Sequence, residues 1–199
     1  MAENDSQDRP RRARLMLDRA LSSAAGIVAL SALSVSVYQA YISRQQQKAS
    51  AWPYVLQTNT GTDGYTRIVQ NSGLGPALVR SMRVEVDGRS VTDWGHFLMA
   101  ATHSDSATLE QALGAAHFWT SSVRPGMVLL AGTETKLAHS DTGAFAGVLR
   151  RAFSDEKRVH VRICYCSLYG DCWTSDNRAL EPVPVKECPV ADEAREFRS

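Results

Sequence analysis

The chain has 199 residues, 44% of them hydrophobic, with 22 Lys and Arg against 21 Asp and Glu. This length has room for one domain of ordinary size together with a membrane anchor. The first nineteen positions hold five of the arginines and four of the acidic residues, which leaves seventeen basic and seventeen acidic residues from Arg44 onward. Nucleic-acid binding depends on an excess of clustered Lys and Arg, so this balance excludes nucleic acid as an expected partner.

An uncharged run over residues 20–43 follows a basic amino-terminal segment, residues 1–19. As a helix rising 1.5 Å per residue the run is about 36 Å long, enough to cross a hydrocarbon core of about 30 Å. Its serines can return their hydroxyl hydrogens to backbone carbonyls one turn back, which makes them tolerable in lipid. We predict a transmembrane helix over 20–43. Aromatic rings suited to the far membrane boundary follow at Tyr38, Tyr41, Trp52 and Tyr54.

Two other interpretations of this run stay open: a buried helix of a soluble protein, and a signal peptide cleaved near the small residues Ser34-Val35-Ser36. The long charged segment before the run, and the length of the run itself, favour an uncleaved signal anchor. The arginines before it outnumber Arg44 and Lys48 after it. By the positive-inside rule we expect a cytoplasmic amino terminus and an extracytoplasmic carboxyl-terminal domain.

Small residues recur on one face of the predicted helix at three- and four-residue steps: Ser22, Ala25, Gly26, Ala29, Ala32 and Ser36. Such a stripe lets another helix approach closely. An anchor rich in Ala and Ser also produces such stripes by chance. Besides the lipid bilayer, the expected partners are therefore a second copy of the chain or another membrane protein.

Beyond a polar tether at residues 44–51, local patterns favour β-strands. Residues 64–69 are rich in β-favourable side chains and end at the loop 71–76, where Asn and Gly tolerate positive φ and Pro blocks a helix. This glycine-rich loop lacks the helix that should follow a phosphate-binding loop. Residues 82–86 alternate apolar and charged side chains, which indicates a half-buried strand, and Asp87-Gly88 suits a hairpin turn.

Apolar residues at helical spacing predict short helices farther along the chain. The break between the first two is residues 103–106, and Thr92 or Asp93 is the expected N-cap of the first. The three predicted helices run from Trp94 to Ala101, from Leu109 to Ala116 and from Asp141 to Ala152.

The clearest strand pattern is at residues 158–166, where Val159, Val161, Ile163 and Tyr165 share one face. Residues 167–171 can turn the chain and 172–174 can return as a partner strand. Residues 183–185 can form only an edge strand, because proline does not donate to a ladder. Residues 189–199 are polar and are expected to be a flexible tail. These elements predict a mainly β domain over 52–188, β-sandwich-like with short helical insertions, and an immunoglobulin-like topology is one such form.

All four cysteines, Cys164, Cys166, Cys172 and Cys188, lie in the last thirty-six residues. In an exported domain such a set favours two disulfides. Cys164 and Cys166 point from the same face of one strand, so a bond between them is disfavoured. We prefer Cys166 with Cys172 across the hairpin, and Cys164 with Cys188.

Two alternatives for the cysteines stay open. A zinc site would use four thiolates, but the spacing lacks paired C-x2-C knuckles. A redox-active pair would need a lowered thiol pKa, for which His160 and Arg162 on the same strand face could supply positive charge.

No catalytic motif in the sequence rises above background, and we expect no cofactor and no metal. The five histidines lack metal-ligand spacing, and no G-x-S-x-G elbow occurs. The four tryptophans could line a ligand site, although large aromatic side chains more often pack in a core. A non-enzymatic binding or assembly module is the expected function. The alternatives are a thiol–disulfide oxidoreductase using Cys164 and Cys166, and a ligand sensor that acts through a partner.

Three segments carry a resemblance to a protein family: Trp52-Pro53-Tyr54, residues 71–77, and the hairpin Cys164-Tyr165-Cys166-Ser167-Leu168-Tyr169-Gly170-Asp171-Cys172-Trp173. Together they resemble uncharacterised bacterial single-pass inner-membrane proteins that have a small exported β-domain. The likeness spans about residues 20–188. It implies a bacterial inner-membrane location and a periplasmic domain, and it brings no activity or catalytic residue with it.

Overall fold

The computed structural model describes residues 5–61, 64–114, 117–141, 143–155 and 157–198, with side chains described from residue 16 onward. The chain divides into two compact units, residues 1–49 and 50–199. The first unit is helical, and the second is built mainly from β-strands.

The described residues of the first unit all lie in helix α1, Asp5–Ser50, whose last residue belongs to the second unit. Its stretch Met16–Ser50 is long and apolar enough to cross a membrane, with a mean hydropathy of 1.8 over a window of which 0% is buried. Four serines donate their hydroxyl hydrogens to carbonyls three or four residues back, as the sequence predicted. Residues 44–50, predicted to be a polar tether, are instead the end of this helix, because Arg, Gln, Lys and Ala are strong helix formers.

The second unit contains ten strands and three helices within its described residues. The strands are β1 Val55–Thr60, β2 Tyr65–Asn71, β3 Ala77–Val86, β4 Arg89–Val91, β5 Phe118–Thr120, β6 Val128–Leu129, β7 Glu134–Ser140, β8 Val159–Cys166, β9 Cys172–Asp176 and β10 Val183–Val185. The helices are α2 Trp94–Thr102, α3 Ser106–Gly114 and α4 Gly143–Ser154.

These strands form two antiparallel sheets. One has the order β1-β2-β7-β5, and the other has the order β10-β9-β8-β3-β4, with β6 paired to the beginning of β3. Side chains of both sheets belong to one buried core, which includes Val69 and Leu137 from the first sheet and Val84 and Ile163 from the second. The prediction of a long amino-terminal helix followed by a β-rich domain with short helical insertions is confirmed at this level.

Several local predictions agree with the structure. All three predicted helices are present among the described residues, although the predicted end of the second, Ala116, lies outside them. The side chain of Asp93 caps α2 by accepting a hydrogen bond from the His96 N–H. Asp87 and Gly88 have φ values of 51° and 77° and turn the chain between β3 and β4. Positive φ at both central residues is what a two-residue hairpin requires.

Strand β3 changes face part-way along its length. Its buried apolar residues are Ala77 and Val79 in the first half, and Met82, Val84 and Val86 in the second. The pairing with β8 shifts register between Val79 and Ser81, so a bulge moves the buried face from odd to even positions. Alternation alone predicted the second half of this strand, because a period-two pattern does not continue through a bulge.

Residues 189–199 were predicted to be a flexible tail, but their described part, 189–198, instead returns to the domain at this bulge. Glu196 and Phe197 are buried, and the Phe197 N–H donates to the Met82 carbonyl at 2.9 Å. The Glu196 carboxylate accepts hydrogen bonds from the Ser81 hydroxyl and from the Met82 N–H, each at 2.7 Å. The tail therefore satisfies polar groups of β3 between the stretches that pair with β6 and β4.

The buried phenol of Tyr165 links the two sheets and makes the stability of the domain depend on pH in the alkaline range. The Tyr165 hydroxyl accepts a hydrogen bond from the Val55 N–H at 3.1 Å, and burial raises the pKa of Tyr165 to about 12. Because an exposed tyrosine ionises near pH ~10, the stability given by the neutral phenol is complete below pH ~10 and is lost as pH rises through about 12.

We therefore expect the free energy of unfolding to fall between pH ~10 and about 12, with tyrosinate absorbance at 295 nm appearing together with unfolding. In the Tyr165→Phe variant the decline should be shallower. An equally steep decline in that variant would contradict the role given to Tyr165. Burial raises the pKa of Tyr65 as well, so some alkaline decline should remain.

Candidate functional site

The four cysteines meet where the β8–β9 hairpin contacts the chain that follows β10. Cys164 pairs with Cys188 at an S–S distance of 2.06 Å, and Cys166 pairs with Cys172 at 2.08 Å. Cys166 and Cys172 are directly opposite each other in the register of β8 and β9. This is the pairing that the strand pattern favoured, since Cys164 and Cys166 share a face and each needs a partner from another segment.

The two disulfides are close to one another. The Sγ atoms of Cys166 and Cys188 are 3.8 Å apart, and those of Cys166, Cys172 and Cys188 all lie within 4.8 Å. Only thiolates serve as zinc ligands or nucleophiles, and every cysteine here is in a disulfide. The zinc alternative therefore needs reduction of the chain before the sulfur atoms can bind metal, whereas a redox-active pair can oxidise a substrate thiol from the disulfide state.

His160 and Arg162, considered above as activators of a thiol, face carboxylates instead. His160 Nε2 lies 2.5 Å from Asp176 Oδ2, and its Nδ1 lies 3.8 Å from Glu85 Oε2. The guanidinium of Arg162 donates to the other oxygen of Glu85. These residues are cross-strand neighbours on β3, β8 and β9, and such opposite-charge pairs stabilise a sheet. The geometry is that of a half-buried ion-pair network joining three strands.

The disulfides differ in the length of chain that each encloses, and this gives a stability prediction. The Cys164–Cys188 bond closes a separation of 24 residues, and the Cys166–Cys172 bond closes one of 6. On a chain-entropy estimate, replacing the first pair by serine should lower the free energy of unfolding by about 3 kcal/mol, and the second pair by about 2 kcal/mol. Urea unfolding of each double variant, followed by tryptophan fluorescence, measures the difference. A larger loss from the short loop would contradict the entropic account.

Asn71 organises the end of the domain where the chain enters from α1, and sequence patterns did not single it out. The side chain is fully buried. Its Oδ1 accepts from the N–H groups of Tyr54 and Gly73, both at 3.0 Å. Its amide donates to the carbonyls of Gly75 at 2.8 Å and Leu129 at 2.9 Å. One side chain thus joins three separate segments of backbone.

The glycines of the 72–76 loop allow the backbone of the segment before β1 to come close to the loop. A Cβ atom added at Gly75 would lie 2.1 Å from the carbonyl oxygen of Ala51, and one at Gly73 would lie 2.4 Å from the Tyr54 nitrogen. The sequence interpretation attributed these glycines to positive φ, which neither of them has. They are needed because the segment before β1 packs directly against this loop.

An exposed aromatic group lies at the other end of the first sheet, on β5. The rings of Trp119 and His139 stack with centroids 5.4 Å apart, and Trp119 is 54% exposed. His139 Nδ1 is 2.7 Å from the hydroxyl of Thr66. With Lys136 beside them these rings line a shallow cleft of about 390 Å³. Trp94, by contrast, is a core residue, so the four tryptophans do not form one site.

The small-residue stripe of α1 is exposed along its length at Ser22, Ala25, Gly26 and Ala29. A Cβ atom added at Gly26 would meet no described atom within 4 Å. The stripe is sterically open to a second helix.

No protein-family model matches this chain. Comparison with curated proteins and with solved structures likewise gave no significant match.

Proposed function

We propose that the chain is a single-pass membrane protein whose β-rich domain is an extracytoplasmic binding or assembly module, with no catalytic activity of its own. The observation that carries this proposal is the combination of an unburied apolar helix with a domain closed by two disulfides. An apolar helix with no protein around it needs lipid, and disulfides persist in oxidising compartments.

The direction of insertion rests on two independent features. Arginine excess before the helix favours a cytoplasmic amino terminus, which places the domain on the far side of the membrane. Disulfide formation requires that same side. For a bacterial chain, as the resemblance implies, the location is the inner membrane and the domain is periplasmic.

The order of strands supports an immunoglobulin-like sandwich. The sheet β1-β2-β7-β5 corresponds to strands A-B-E-D of that fold, and β9-β8-β3-β4 corresponds to G-F-C-C′. In this assignment the three helices are insertions between C′ and D and between E and F. Domains of this architecture commonly present loops for recognition, which accords with a binding or assembly role.

A non-enzymatic role is also supported by how the reactive groups are used. All four thiols are in disulfides, and His160 and Arg162 form ion pairs with carboxylates of neighbouring strands. His160 and Arg162 thus join neighbouring strands, and none of the four cysteines is a free thiolate that could act as a nucleophile.

The test is a thiol count on the full chain taken from membranes of a bacterial host, by alkylation and intact mass before and after reduction. We expect no free thiol before reduction and four after it. Four free thiols without reductant would contradict export and return zinc binding to consideration. Protease digestion of intact spheroplasts should remove the domain, and its protection would contradict the assigned orientation.

One observation favours a second candidate, a thiol–disulfide oxidoreductase. The 3.8 Å between the sulfur atoms of Cys166 and Cys188 is close enough for exchange between the two disulfides once one of them is reduced. An insulin-reduction assay separates the candidates. Turnover by the full chain that is lost in Cys166→Ser would favour the oxidoreductase, and no turnover would favour the binding module.

The partner of the helix is proposed to be a second copy of the chain or another membrane protein. Since Gly26 is at the centre of the open stripe, we expect Gly26→Ile to weaken helix association, because its branched side chain holds the backbones apart. A membrane two-hybrid assay measures the association. The control is Ile27→Leu, which changes the neighbouring side chain without changing its volume. An unchanged signal in Gly26→Ile would count against association through the stripe.

A further inference from the structure

Five large apolar side chains are exposed on the segments at one end of the second unit: Trp52, Leu74, Leu130, Leu168 and Tyr169. We call this set the apolar rim. Leu74 is 71% exposed and Leu168 is 63% exposed. Singly exposed leucines are ordinary on a protein surface, but a group of five on adjoining loops marks an interaction site.

Hydrogen bonds and strand register place the members of the rim at the same end. The Trp52 carbonyl accepts from the Leu74 N–H at 2.8 Å, which joins the segment before β1 to the β2–β3 loop. At the start of β3, Ala77 is opposite Leu129 and Leu78 is opposite Cys166. Leu130 and Leu168 therefore leave the sheet beside the loop that carries Leu74.

These loops are fixed by buried polar side chains. Asn71 bonds to the backbone on both sides of Leu74 and to the carbonyl of Leu129. In the β8–β9 loop, the buried Ser167 hydroxyl accepts from the N–H groups of Tyr169, at 3.2 Å, and Asp171, at 3.3 Å. The rim side chains are consequently held outward and have little freedom to fold back onto the domain.

The covalent chain keeps this end close to the bilayer. Trp52 follows the uncharged run, which ends at Ser43, by nine residues, and the chain is helical as far as Ser50. At 1.5 Å per residue a helical path of that length covers only about 14 Å. The headgroup layer on each side of a bilayer is about 5–8 Å thick, so this path is longer than the layer, and Trp52 lies at headgroup level when the end of the helix is tilted toward the membrane plane.

We propose that the apolar rim docks on the lipid surface, with its leucine side chains at the boundary between headgroups and acyl chains and its Trp and Tyr rings at headgroup level. The side-chain types suit this occupant, because Trp and Tyr prefer the membrane interface and Leu prefers hydrocarbon. Docking fixes the orientation of the domain, so that the opposite end, with Trp119, faces away from the membrane. This inference rests on the proposed membrane anchor.

The test uses the full chain in its membrane, with the photoreactive amino acid benzoyl-phenylalanine introduced at position 74, 130 or 168. The matched control is position 180. Leu180 is 96% exposed, and it follows β9 at the opposite end, where Asn177 bonds to the first residue of β8. We expect lipid adducts, detected by mass, at about tenfold higher yield from the rim positions than from position 180, because apolar side chains in the interface sit among acyl chains.

A second measurement does not depend on cross-linking. In nanodiscs with brominated acyl chains, a tryptophan introduced as Leu74→Trp should be quenched more strongly than one introduced as Leu180→Trp. An alkaline carbonate wash of the membranes accompanies both experiments. Release of the chain would overturn the anchor itself.

Retention of the chain with equal adduct yields at all positions would overturn the rim and leave the anchor standing. If the rim positions cross-link to a protein instead of lipid, the proposed lipid docking is also overturned, because the surface then binds a protein partner.

Discussion

Replacing Phe197 with alanine is expected to lower the free energy of unfolding by about 3–5 kcal/mol, the range found when a fully buried Phe is truncated. The Phe197 ring is buried and packs edge-on against Trp94 with centroids 5.1 Å apart. Its loss leaves a cavity beneath the tail and removes the apolar contact that holds Glu196 against β3. Urea unfolding followed by tryptophan fluorescence measures the change, and Trp94 is a direct reporter of the site.

Val190→Ala is the matched control in the same tail. Val190 is exposed, so the variant should stay within about 0.5 kcal/mol of the wild type. If Phe197→Ala changes the free energy of unfolding as little as Val190→Ala does, burial of Phe197 does not stabilise the domain. A large loss would establish that the last residues of the chain belong to the folded core.

Asn71→Ala is the second large effect, with an expected loss of about 4 kcal/mol, or ~1 kcal/mol for each of four backbone groups that lose a hydrogen bond to this side chain. Those groups are the N–H groups of Tyr54 and Gly73 and the carbonyls of Gly75 and Leu129. Because the site is fully buried, the groups cannot exchange the amide for bulk water without opening the end of the domain. The same unfolding measurement applies.

Ser72→Ala is the control for this variant, since Ser72 is the exposed neighbour of Asn71 and its replacement should be nearly neutral. The two variants also separate stability from docking. Asn71→Ala should loosen the loop that carries Leu74 and reduce lipid cross-linking from position 74, whereas Ser72→Ala should leave both unchanged. An Asn71→Ala variant as stable as the wild type would show that water replaces the amide at this site.

Much of the fold follows from local patterns. Period-two alternation located the second half of β3 and all of β8, and helical spacing located α2, α3 and α4. Alternation in β8 also limited the cysteine pairing, because two residues on one face of a strand need partners from elsewhere. These features depend on residues close together in the sequence, which is why one sequence suffices to find them.

Strands β1, β4, β5, β6 and β7 were not found from the sequence. Strand β4 has three residues and β6 has two, which is too short for a periodic signal. Strand β1 is exposed over its second half and so lacks the apolar alternation that marks a half-buried strand. Their pairing is determined by the neighbouring strands, which only the folded chain brings together.

By itself, then, the sequence determined the apolar helix, the main strands and helices, and which cysteines are available for disulfides. Each of these features is visible as a local pattern of side chains. The tertiary structure alone decided the positions of Asn71 and Glu196, whose partners are the backbone groups of distant segments. A polar residue with a buried role looks the same in the sequence as one on the surface, because its desolvation is offset by partners that local patterns do not contain. The bulge in β3 and the contact of the tail with it likewise depend on the tertiary structure.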